Sequence, residues 1–571
     1  MNYSAPLSDM KFLLKNVFHA DNVWPNFPYV NENLDIDIAF TILDEASKFS
    51  SDVIFPLNRN ADEQGVTFSF GNVKTPDGFT ECYQSFSEAG WGGLCGNPDF
   101  EGTGMPKMLG VLVDEMNYSA SNAFTLYSSL TAGAALCIDS HASENLKKTY
   151  LPKLYSGEWS AAMAMTEAHA GSDLNNIRTK AVQVSDDQYK ITGTKIFITA
   201  GDHDLTSNII HLVLAKVQND SRISLFLVPK FLEDNNFNHV SASSIEHKMG
   251  LNGSATCVMN YDESLGHLIG EQGKGLSCMF TMMNYERLAI GIQGLANSEA
   301  AYQLAVNYAK DRIQGTEPKL KLPCNIIDHG DVRRMLLTIR ALTEAGRALS
   351  VYTGMQLDLA KYGGDSQQKI ANFSQLLTPV TKSFFTDRGL ECAVMAQQVF
   401  GGHGYIRESG IEQIVRDTRI AQIYEGTNGI QAIDFLSRKV VLDKQVVLQQ
   451  FVEDINFNLA NFKFVNQKKC DLVKANFQKL INFASTINHK VNPSLLNSCA
   501  VNYLDAFGYN IYGYFWLLMV EKSHQSKHHL FESKQYLCDF FFDQLMPNVG
   551  LHLNRLKSCD DSIMAMPKEI F

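Results

Sequence analysis

The sequence predicts a mainly α-helical protein with a central β domain. Apolar residues recur at helical spacing from about residue 36 to 150 and again after about residue 274, and short apolar segments separated by turn residues fill the region between. The chain has 571 residues, and single hydrophobic cores stop growing at roughly 250 to 300 residues. We therefore expect several domains, in the order helices, strands, helices and further helices.

The first domain is predicted to be helical and to span residues 1–159. Ile36, Ala39 and Leu43 fall on one face of a helix. The glycine-rich stretch EAGWGGLCGNPDFEGTGMP, residues 88–106, predicts a surface loop or a bend between helices. The residues that follow it return to a helical pattern.

The second domain, residues 160–273, is predicted to consist of β-strands. The segments YKITGTKIFIT, IIHLVLAKV and ISLFLVPKF are short and apolar, and Gly, Asn, Asp and Ser separate them. Parallel neighbours need a long crossover, usually a helix, and no helical stretch of that length lies between these segments. We therefore expect an antiparallel, barrel-like sheet.

Two helical domains are predicted to follow: a four-helix bundle at residues 274–445 and an additional C-terminal helical domain at residues 446–571. Leu288 and Ile292 lie on one stripe of the first helix of the bundle. The apolar segment IYGYFWLLMV, residues 511–520, is shorter than the roughly 20 residues that span a membrane. We interpret it as a buried helix.

The composition argues against several classes of function. The formal net charge is −12 and the chain has no long basic run, so neither nucleic acid nor anionic lipid is an expected partner. Eleven cysteines without a CxxC pattern predict free thiols in a reducing compartment, and the N-terminal residues lack the pattern of a secretory leader. We expect a cytoplasmic protein without a transmembrane segment. His524 and His528 have the spacing of a helical metal pair, but with His529 they favour a solvated helix face, and no metal site is predicted.

Two common nucleotide-binding patterns do not occur. The segment GEQGKGL, residues 270–276, lacks the spacing of a phosphate-binding P-loop and is interpreted as a linker between the β domain and the next helix. No GxGxxG motif follows a strand and opens a helix, so there is no sign of a Rossmann nicotinamide site.

Three other stretches contain candidate ligand-binding groups. MAMTEAHAGSDL, residues 163–174, places the hydroxyls of Thr166 and Ser172 in a turn that either binds the polar edge of a flat heterocycle or serves as a capping turn. The glycines of QVFGGHGY permit the close approach of a bulky ligand, or simply end a helix. IYEGTNGIQ places Glu425 between an aromatic ring and a glycine; an isolated glutamate is usually a solvated surface charge.

Taken together and in this order, MTEAHAGSD, KIFITAG and GGHGYIRESGIEQIVRDTRIAQIYEGTNGIQ resemble the acyl-CoA dehydrogenase family. The resemblance covers about residues 36–445. The extra C-terminal helical region and the opening YSAPLSDMKFLL are similar to the larger subgroup that includes 3-methylmercaptopropionyl-CoA dehydrogenase. The resemblance implies FAD bound between the β domain and the helical bundle.

The resemblance also implies roles for individual residues. The residues expected to line the flavin ring are Met165, Thr166, Phe197 and Thr199. Those expected to reach the FAD of a second subunit, in at least a dimer, are Arg312, Gln398 and Gly402. Those expected to bind the flavin within their own subunit are Thr427 and Asn428. Those expected to contact acyl-CoA are Ser172, Asn284, Arg287 and Tyr424.

By the same resemblance, Glu425 would remove the α-proton of an acyl thioester while hydride passes from the β-carbon to flavin N5, giving a trans-2-enoyl-CoA. A ribityl hydroxyl of FAD and the backbone N–H of Glu425 would stabilise the charge on the thioester oxygen. Glu286, in MMNYERL, is the alternative base, because relatives with a different base placement have a glutamate directly before this arginine.

Three functions remain open from the sequence. The first is an acyl-CoA dehydrogenase of fatty acid metabolism that passes electrons to an electron-transfer flavoprotein, with 3-methylmercaptopropionyl-CoA as a candidate substrate. The second is an acyl-CoA oxidase in which dioxygen reoxidises the flavin. The third is an interaction protein that has kept the fold and lost catalysis.

Overall fold

The computed structural model of this chain describes residues 3–30, 34–317, 319, 321–362, 367–487, 493–557 and 562–571. Helices surround one seven-stranded sheet. This architecture confirms the predicted fold class.

Helices precede the sheet. They are α1 Leu7–Phe12, α2 Ala20–Val23, α3 Ile36–Phe49, α4 Phe55–Gln64, α5 Phe79–Glu88, α6 Lys107–Ala120, α7 Asn122–His141 and α8 Glu144–Tyr155. A small antiparallel hairpin of β1 (Thr67–Ser69) and β2 (Asn72–Lys74) lies between α4 and α5. Helical structure begins well before residue 36, because the N-terminal segment buries Met10 and Phe12 in the core. The glycine-rich stretch connects α5 to α6, as predicted.

The β domain is a closed ring of paired strands with two strands added. Its strands are β3 Trp159–Ala164, β4 Lys180–Gln183, β5 Gln188–Thr199, β6 Asn208–Val217, β7 Ile223–Pro229, β8 Val240–Ile245 and β9 Thr256–Ile269. The ring closes because β6 pairs with β4, β4 with β5, β5 with β9, β9 with β7 and β7 with β6. The two added strands are β3, which pairs with β6, and β8, which pairs with β9. The sheet is therefore barrel-like.

The predicted barrel-like sheet is mainly antiparallel, but two of its pairings are parallel. β3 runs parallel to β6, with Trp159 opposite Asn208 and Ala164 opposite Val213. β4 also pairs in parallel with the end of β6. The crossover between β3 and β6 is made by a turn and the β4–β5 hairpin. A missing helical crossover therefore did not exclude parallel neighbours here.

The helical bundle follows β9. Its helices are α9 Gly275–Asp311, α10 Gly330–Tyr362, α11 Gln367–Val399, α12 Ile411–Arg419 and α13 Asn428–Ile433. Glycine allows α9 and α11 to pack closely, since a Cβ at Gly291 would stand 2.8 Å from the Thr381 carbonyl oxygen. A short hairpin of β10 (Ile313–Thr316) and β11 (Pro323–Asn325), which the sequence did not predict, lies between α9 and α10.

The C-terminal region adds six helices in the described part of the chain. They are α14 Val446–Asn461, α15 Gln467–Thr486, α16 Pro493–Gln525, α17 Phe531–Phe540, α18 Pro547–Lys557 and α19 Ser562–Ala565. Residues 511–520 lie within α16 and are buried, as predicted, and Trp516 donates a hydrogen bond to the Ala341 carbonyl of α10 at 3.1 Å. Among the described helices, none is both long enough and apolar enough to cross a membrane.

Candidate active site

Glu425 lies in a short loop, residues 423–427, that connects α12 to α13. We call this segment the Glu425 loop. Glu425 has a φ of 56° and Gly426 a φ of 82°, so a non-glycine residue occupies the left-handed region at some cost in free energy. Gln431 holds this geometry by donating a hydrogen bond to the Glu425 carbonyl at 3.0 Å. In the described part of the chain, the Glu425 N–H does not donate a hydrogen bond to any backbone carbonyl.

The Glu425 carboxyl is in a water-poor position. Its Oε2 atom is buried and has no hydrogen-bond partner among the described residues. Burial raises the pKa of Glu425 to about 7, although the positive charges of Arg287 and Lys382 act in the opposite direction. A carboxyl with this pKa is suited to take up a proton near neutral pH.

A second buried carboxyl, Glu286, lies on α9. It is 1% exposed. Its Oε2 accepts a hydrogen bond from Ser129 of α7 at 3.3 Å, while its Oε1 is buried without a partner in the described structure. The absence of a side chain at Gly133 makes room for it, since a Cβ there would stand 2.6 Å from Oε1. Burial, followed by repulsion from Glu425, raises the pKa of Glu286 well above its ordinary value.

The residues beside Glu286 and Glu425 are connected by hydrogen bonds. The Tyr424 hydroxyl donates to Oε1 of Gln293, on α9, at 2.5 Å. Arg287 donates to Asn284 Oδ1 at 3.1 Å. Burial lowers the pKa of the Arg287 guanidinium, while Asp434 and Glu425 oppose this shift. The sequence-predicted residues Asn284, Arg287 and Tyr424 thus lie in one group with both candidate bases.

Asn428 and Thr427 fix the start of α13. The Asn428 amide group donates to Thr386 Oγ1 at 2.9 Å and to Asp387 Oδ1 at 2.7 Å, and its Oδ1 accepts from Lys382 at 2.8 Å. Thr427 is exposed and caps α13 through a 3.4 Å hydrogen bond from the Ile430 N–H. The Asn428 side chain is thus engaged with α11.

A cavity of about 260 Å³ opens beside Glu286. Ser129, which hydrogen-bonds to Glu286, is one of its lining residues. Its walls come from the glycine-rich stretch and from α6, α7, α9 and α10. Apolar lining residues include Trp91, Leu94, Val113 and Leu136. The cavity can therefore receive a mainly apolar group.

The same cavity has a polar side and a thin outer wall. Lys107 donates hydrogen bonds to Asp114 at 2.8 Å and to the Tyr285 hydroxyl at 3.2 Å, and all three residues line the cavity. Trp91 and Leu94 also line a second cleft, of about 610 Å³, beside α3. These two side chains therefore separate the inner cavity from the outer cleft.

The four residues predicted to line a flavin lie together in the β domain. The Ile196 N–H donates to the Thr166 carbonyl at 2.9 Å, which joins the turn after β3 to the middle of β5. Pairing of β5 with β9 shifts register between Lys195 and Ile198. Phe197 sits at this bulge with a φ of 59°, and the residue is 58% exposed. Close by in the chain, the partly exposed residues are Met165, Thr166 and Thr199.

Arg312, Gln398 and Gly402 lie together at one end of the bundle. All three are exposed. Tyr308, one helical turn before Arg312, stacks on Phe400 with ring centroids 4.3 Å apart and contacts His403 at 3.0 Å. Ser172 is exposed in the turn after β3. Within the described ranges, no hydrogen bond or ion pair joins the β-domain group, the Glu425 group and this bundle end to one another.

Several residues of the Glu425 group were not identified from the sequence. They are Ser129, Gln293 and Lys382. Each lies inside a long helix, far along the chain from the loop it supports, so local spacing gave no reason to select it. The one available signal was Lys382, a charged residue within the otherwise uncharged helical stretch LLTPVTKSFFT.

Known protein families and structures share this organisation. The family models described as the N-terminal, middle and C-terminal domains of acyl-CoA dehydrogenase match residues 40–158, 162–264 and 273–439, and one described as acetyl-CoA dehydrogenase C-terminal like matches residues 449–567. The chain is 41% identical to 3-methylmercaptopropionyl-CoA dehydrogenase of Ruegeria pomeroyi, over 80% of this chain and 79% of the relative. It is 34% identical to a butyryl-CoA dehydrogenase of Syntrophomonas wolfei, over 100% and 99%. The crystal structure of an acyl-CoA dehydrogenase complexed with FAD from Bacillus anthracis has a TM-score of 0.77 and 22% identity, covering 93% of this chain and 90% of that one.

Proposed function

This chain belongs to the acyl-CoA dehydrogenase family, and from that membership we propose that it oxidises the α,β carbon–carbon bond of an acyl-CoA thioester with FAD as cofactor. The product is a trans-2-enoyl-CoA. The single observation that carries the assignment of the base is the Oε2 of Glu425, which is buried without a hydrogen-bond partner among the described residues; burial raises the pKa of this carboxyl to about 7.

Glu425 takes the α-proton of the thioester on Oε2. In water a carboxylate is too weak a base for this carbon acid, so exclusion of solvent and a raised pKa are both needed. The Glu425 N–H, which makes no backbone hydrogen bond in the described structure, donates to the thioester oxygen as negative charge develops there. One such donor contributes about 3 kcal/mol to the transition state.

Glu286 is the less favourable base. Burial and repulsion from Glu425 raise its pKa well above the ordinary value and so disfavour the ionised form that a base needs. Its Oε2 also accepts a hydrogen bond from Ser129. Glu425, in contrast, is favoured in its ionised form by the positive charges of Arg287 and Lys382, and this supports Glu425 as the base.

The residues of the β domain fit a flat heterocycle. The exposed ring of Phe197, at a bulge where the backbone is held in the left-handed region, offers an apolar platform, and Met165 adds a second apolar surface. The Thr166 and Thr199 hydroxyls make no side-chain hydrogen bond to other described residues and supply polar contacts. These four residues, together with Thr427 and the Asn428 backbone, would hold the isoalloxazine ring. Bound FAD would accept the hydride that leaves the β-carbon.

We assign acyl-CoA to the group around Glu286 and Glu425. Ser172, Asn284 and Arg287 would contact the CoA portion, and Tyr424 would border the acyl group. The cavity of about 260 Å³ beside Glu286 would receive the acyl tail. The wall formed by Trp91 and Leu94 ends the cavity on the side of the outer cleft and so limits the length of the acyl group. Butyryl and 3-methylmercaptopropionyl groups, named for the two relatives, are candidate acyl groups.

The active unit is proposed to be at least a homodimer. Arg312, Gln398 and Gly402 form an exposed group at one bundle end, and Arg312 forms no side-chain ion pair in the described structure. An exposed guanidinium of this kind suits the diphosphate of an FAD held by a neighbouring subunit. We further propose a role in fatty acid metabolism and a cytoplasmic location; the free thiols of the described cysteines support the latter.

Anaerobic titration of the purified yellow protein with acyl-CoAs tests this function. We expect butyryl-CoA and 3-methylmercaptopropionyl-CoA to bleach the flavin and yield the corresponding 2-enoyl-CoA, and long-chain acyl-CoAs to act more slowly. A Trp91→Ala variant should accept longer chains, because the inner cavity then joins the outer cleft. Protein that binds these thioesters without bleaching would instead indicate a non-catalytic interaction protein.

A second experiment identifies the electron acceptor. The proposed acceptor is an electron-transfer flavoprotein, and the competing function is an oxidase that uses dioxygen. We expect turnover in air to form little hydrogen peroxide until an electron-transfer flavoprotein or an artificial acceptor is added. Stoichiometric peroxide formed without an added acceptor would assign the chain as an oxidase.

A further inference from the structure

Lys382 is a buried cation directly behind the Glu425 loop. It lies in the middle of α11 and its side chain is 0% exposed. Its Nζ donates hydrogen bonds to the Gly426 carbonyl at 2.8 Å and to Asn428 Oδ1 at 2.8 Å. Both acceptors are backbone or side-chain groups within three residues of Glu425, and both are uncharged.

We propose that Lys382 is a positioning residue for the catalytic base: it ties the Glu425 loop to α11 and places a positive charge behind the Glu425 carboxylate. The inference rests on the proposed function, in which Glu425 is the base. It extends that function to a side chain that touches neither the substrate nor the reacting atoms.

The left-handed backbone of the loop explains why such an anchor is needed. Glu425 and Gly426 both have positive φ, and a non-glycine residue stays in this region only when its surroundings hold it there. Lys382 binds the carbonyl directly after Glu425, and Gln431 binds the Glu425 carbonyl itself. These contacts orient the Glu425 N–H and carboxyl together.

Among the described residues, both hydrogen-bond acceptors of Lys382 are neutral. Burying an ammonium group without a carboxylate partner costs free energy, so its presence at this position points to a function for its charge. Burial lowers the pKa of Lys382 to about 7, although Glu425 and Asp387 act to raise it and Arg287 acts to lower it. Lys382 in turn lowers the pKa of Glu425, together with Arg287, while Glu286 is the other carboxyl facing Glu425. The base and the lysine therefore titrate as a coupled pair.

The sign of the pH effect follows from this coupling. An opposite charge nearby stabilises the ionised carboxylate and lowers its pKa by about 1 to 3 units. Replacing Lys382 with a neutral residue therefore raises the pKa of Glu425, so the acid limb of kcat/KM moves to higher pH. A substitution that keeps the charge leaves the limb in place.

The test compares pH profiles of kcat/KM for the FAD-loaded wild type, Lys382→Met and Lys382→Arg. We expect the wild-type acid limb near pH 7, from the pKa of about 7 of Glu425. In Lys382→Met it should move up by about one pH unit, with kcat reduced more than KM is raised. Lys382→Arg should keep the limb within about 0.3 units of the wild type. Lys534→Met, which removes another buried lysine far along the chain, should lose stability without moving the limb.

A second readout needs no turnover. Glu425, with a raised folded pKa, adds stability below its unfolded pKa, and that stability is lost as pH rises through the folded pKa. Melting temperature is measured against pH for the wild type and for Lys382→Met, each with and without Glu425→Gln, and the difference gives the stability that Glu425 contributes. This contribution should persist to higher pH in Lys382→Met than in the wild type.

These results separate the inference from the function on which it rests. If Glu425→Gln retains full activity, the base assignment fails whatever Lys382 does. If Glu425→Gln is inactive but Lys382→Met leaves both the acid limb and the stability curve unmoved, the role of Lys382 is overturned. If Lys382→Met does not fold, Lys382→Arg decides, since a limb displaced by a full pH unit despite the retained charge would contradict the proposal.

Discussion

Two clusters of buried charge in this protein are built in opposite ways. In the first, Arg347 of α10 donates to Glu115 at 2.7 and 2.9 Å, to Asp9 at 2.6 Å and to Glu299 at 2.7 Å. Lys534 of α17 bonds Asp9 and, at 2.6 Å, Glu344. In the second, around Glu425, one oxygen each of Glu286 and Glu425 is buried without a partner among the described residues.

The difference in hydrogen-bond partners indicates that the first cluster has a structural role and the second a chemical one. Burial would raise the pKa of Asp9, but Lys534 and Arg347 hold it below its ordinary value, so this charge is fixed in place. The first cluster joins helices of the N-terminal region, the bundle and the C-terminal region. Among the described residues the Glu425 Oε2 has no such partner and is open to a substrate proton. Burial raises the pKa of Glu115 in the first cluster to about 7 as well, so it is the hydrogen-bond partners, and not the pKa, that distinguish the two clusters. Unsatisfied buried oxygens cost free energy, and proteins retain them where reactivity requires them.

Removing the base is the strongest test of this contrast. Glu425→Gln should retain FAD and bind acyl-CoA but slow flavin bleaching by about 10²- to 10⁴-fold, the usual contribution of a general base. Stopped-flow absorbance under anaerobic conditions measures the rate. Glu453→Gln, at an exposed glutamate on α14, is the control and should behave as the wild type. Bleaching within tenfold of the wild-type rate would move the role of base to Glu286.

Removing the central cation of the first cluster tests its structural role. Arg347→Met leaves Glu115 and Glu299 without their main partner and should lower the free energy of unfolding by about 3 to 5 kcal/mol. Chemical denaturation measures this. Arg334→Met, on the same helix, breaks an exposed pair with Asp331 and should cost less than about 1 kcal/mol. Equal losses from the two substitutions would show that the buried cluster is not special.

The sequence predicted the fold better than the charge networks. Helical spacing and strand-like segments gave the domain order, because local periodicity reflects which face of each element is buried. Two parallel pairings escaped this reasoning, since β3 and β6 meet through a hairpin crossover that contains no helix. The two helices before residue 36 fall in the predicted N-terminal helical domain but were not predicted individually, because the contacts that hold them join remote positions, such as Asp9 and Lys534, which are 525 positions apart.

The candidate site divides in the same way. Glu425, Glu286 and Arg287 were selected through their motifs and lie in one group. Lys382, Ser129 and Gln293 were missed, because they act through space from separate helices and belong to no recognisable short pattern. The Asn428 side chain also proved to be engaged with α11, which a motif alone cannot reveal.

Neutralising the second carboxyl sharpens the comparison between the two acids of the site. Glu286→Gln should change the bleaching rate by less than about tenfold, because Glu286 does not remove the proton. Its raised folded pKa means that it favours the fold below its unfolded pKa and loses that contribution as pH rises through the folded pKa. Glu286→Gln should therefore become more stable relative to the wild type as pH increases. Melting temperatures from pH 5 to 9 measure this, and a constant difference would contradict it.

The smallest effect concerns the hydrogen bond that the Glu286 carboxylate receives from Ser129 in the described structure. Ser129→Ala removes the 3.3 Å contact to Oε2 and should lower stability by about 0.5 to 1.5 kcal/mol. Ser128→Ala is a matched control, since Ser128 lines the same cavity but within the described ranges its hydroxyl bonds the Thr125 carbonyl of its own helix, at 3.0 Å, and not Glu286. Because the Ser129 hydroxyl lowers the pKa of Glu286, its loss makes Glu286 still harder to ionise, so bleaching by Glu425 should continue at nearly the wild-type rate. A large fall in rate in Ser129→Ala but not in Ser128→Ala would mean that an ionised Glu286 takes part in the reaction, and the two carboxyls would then have to be treated as a catalytic pair.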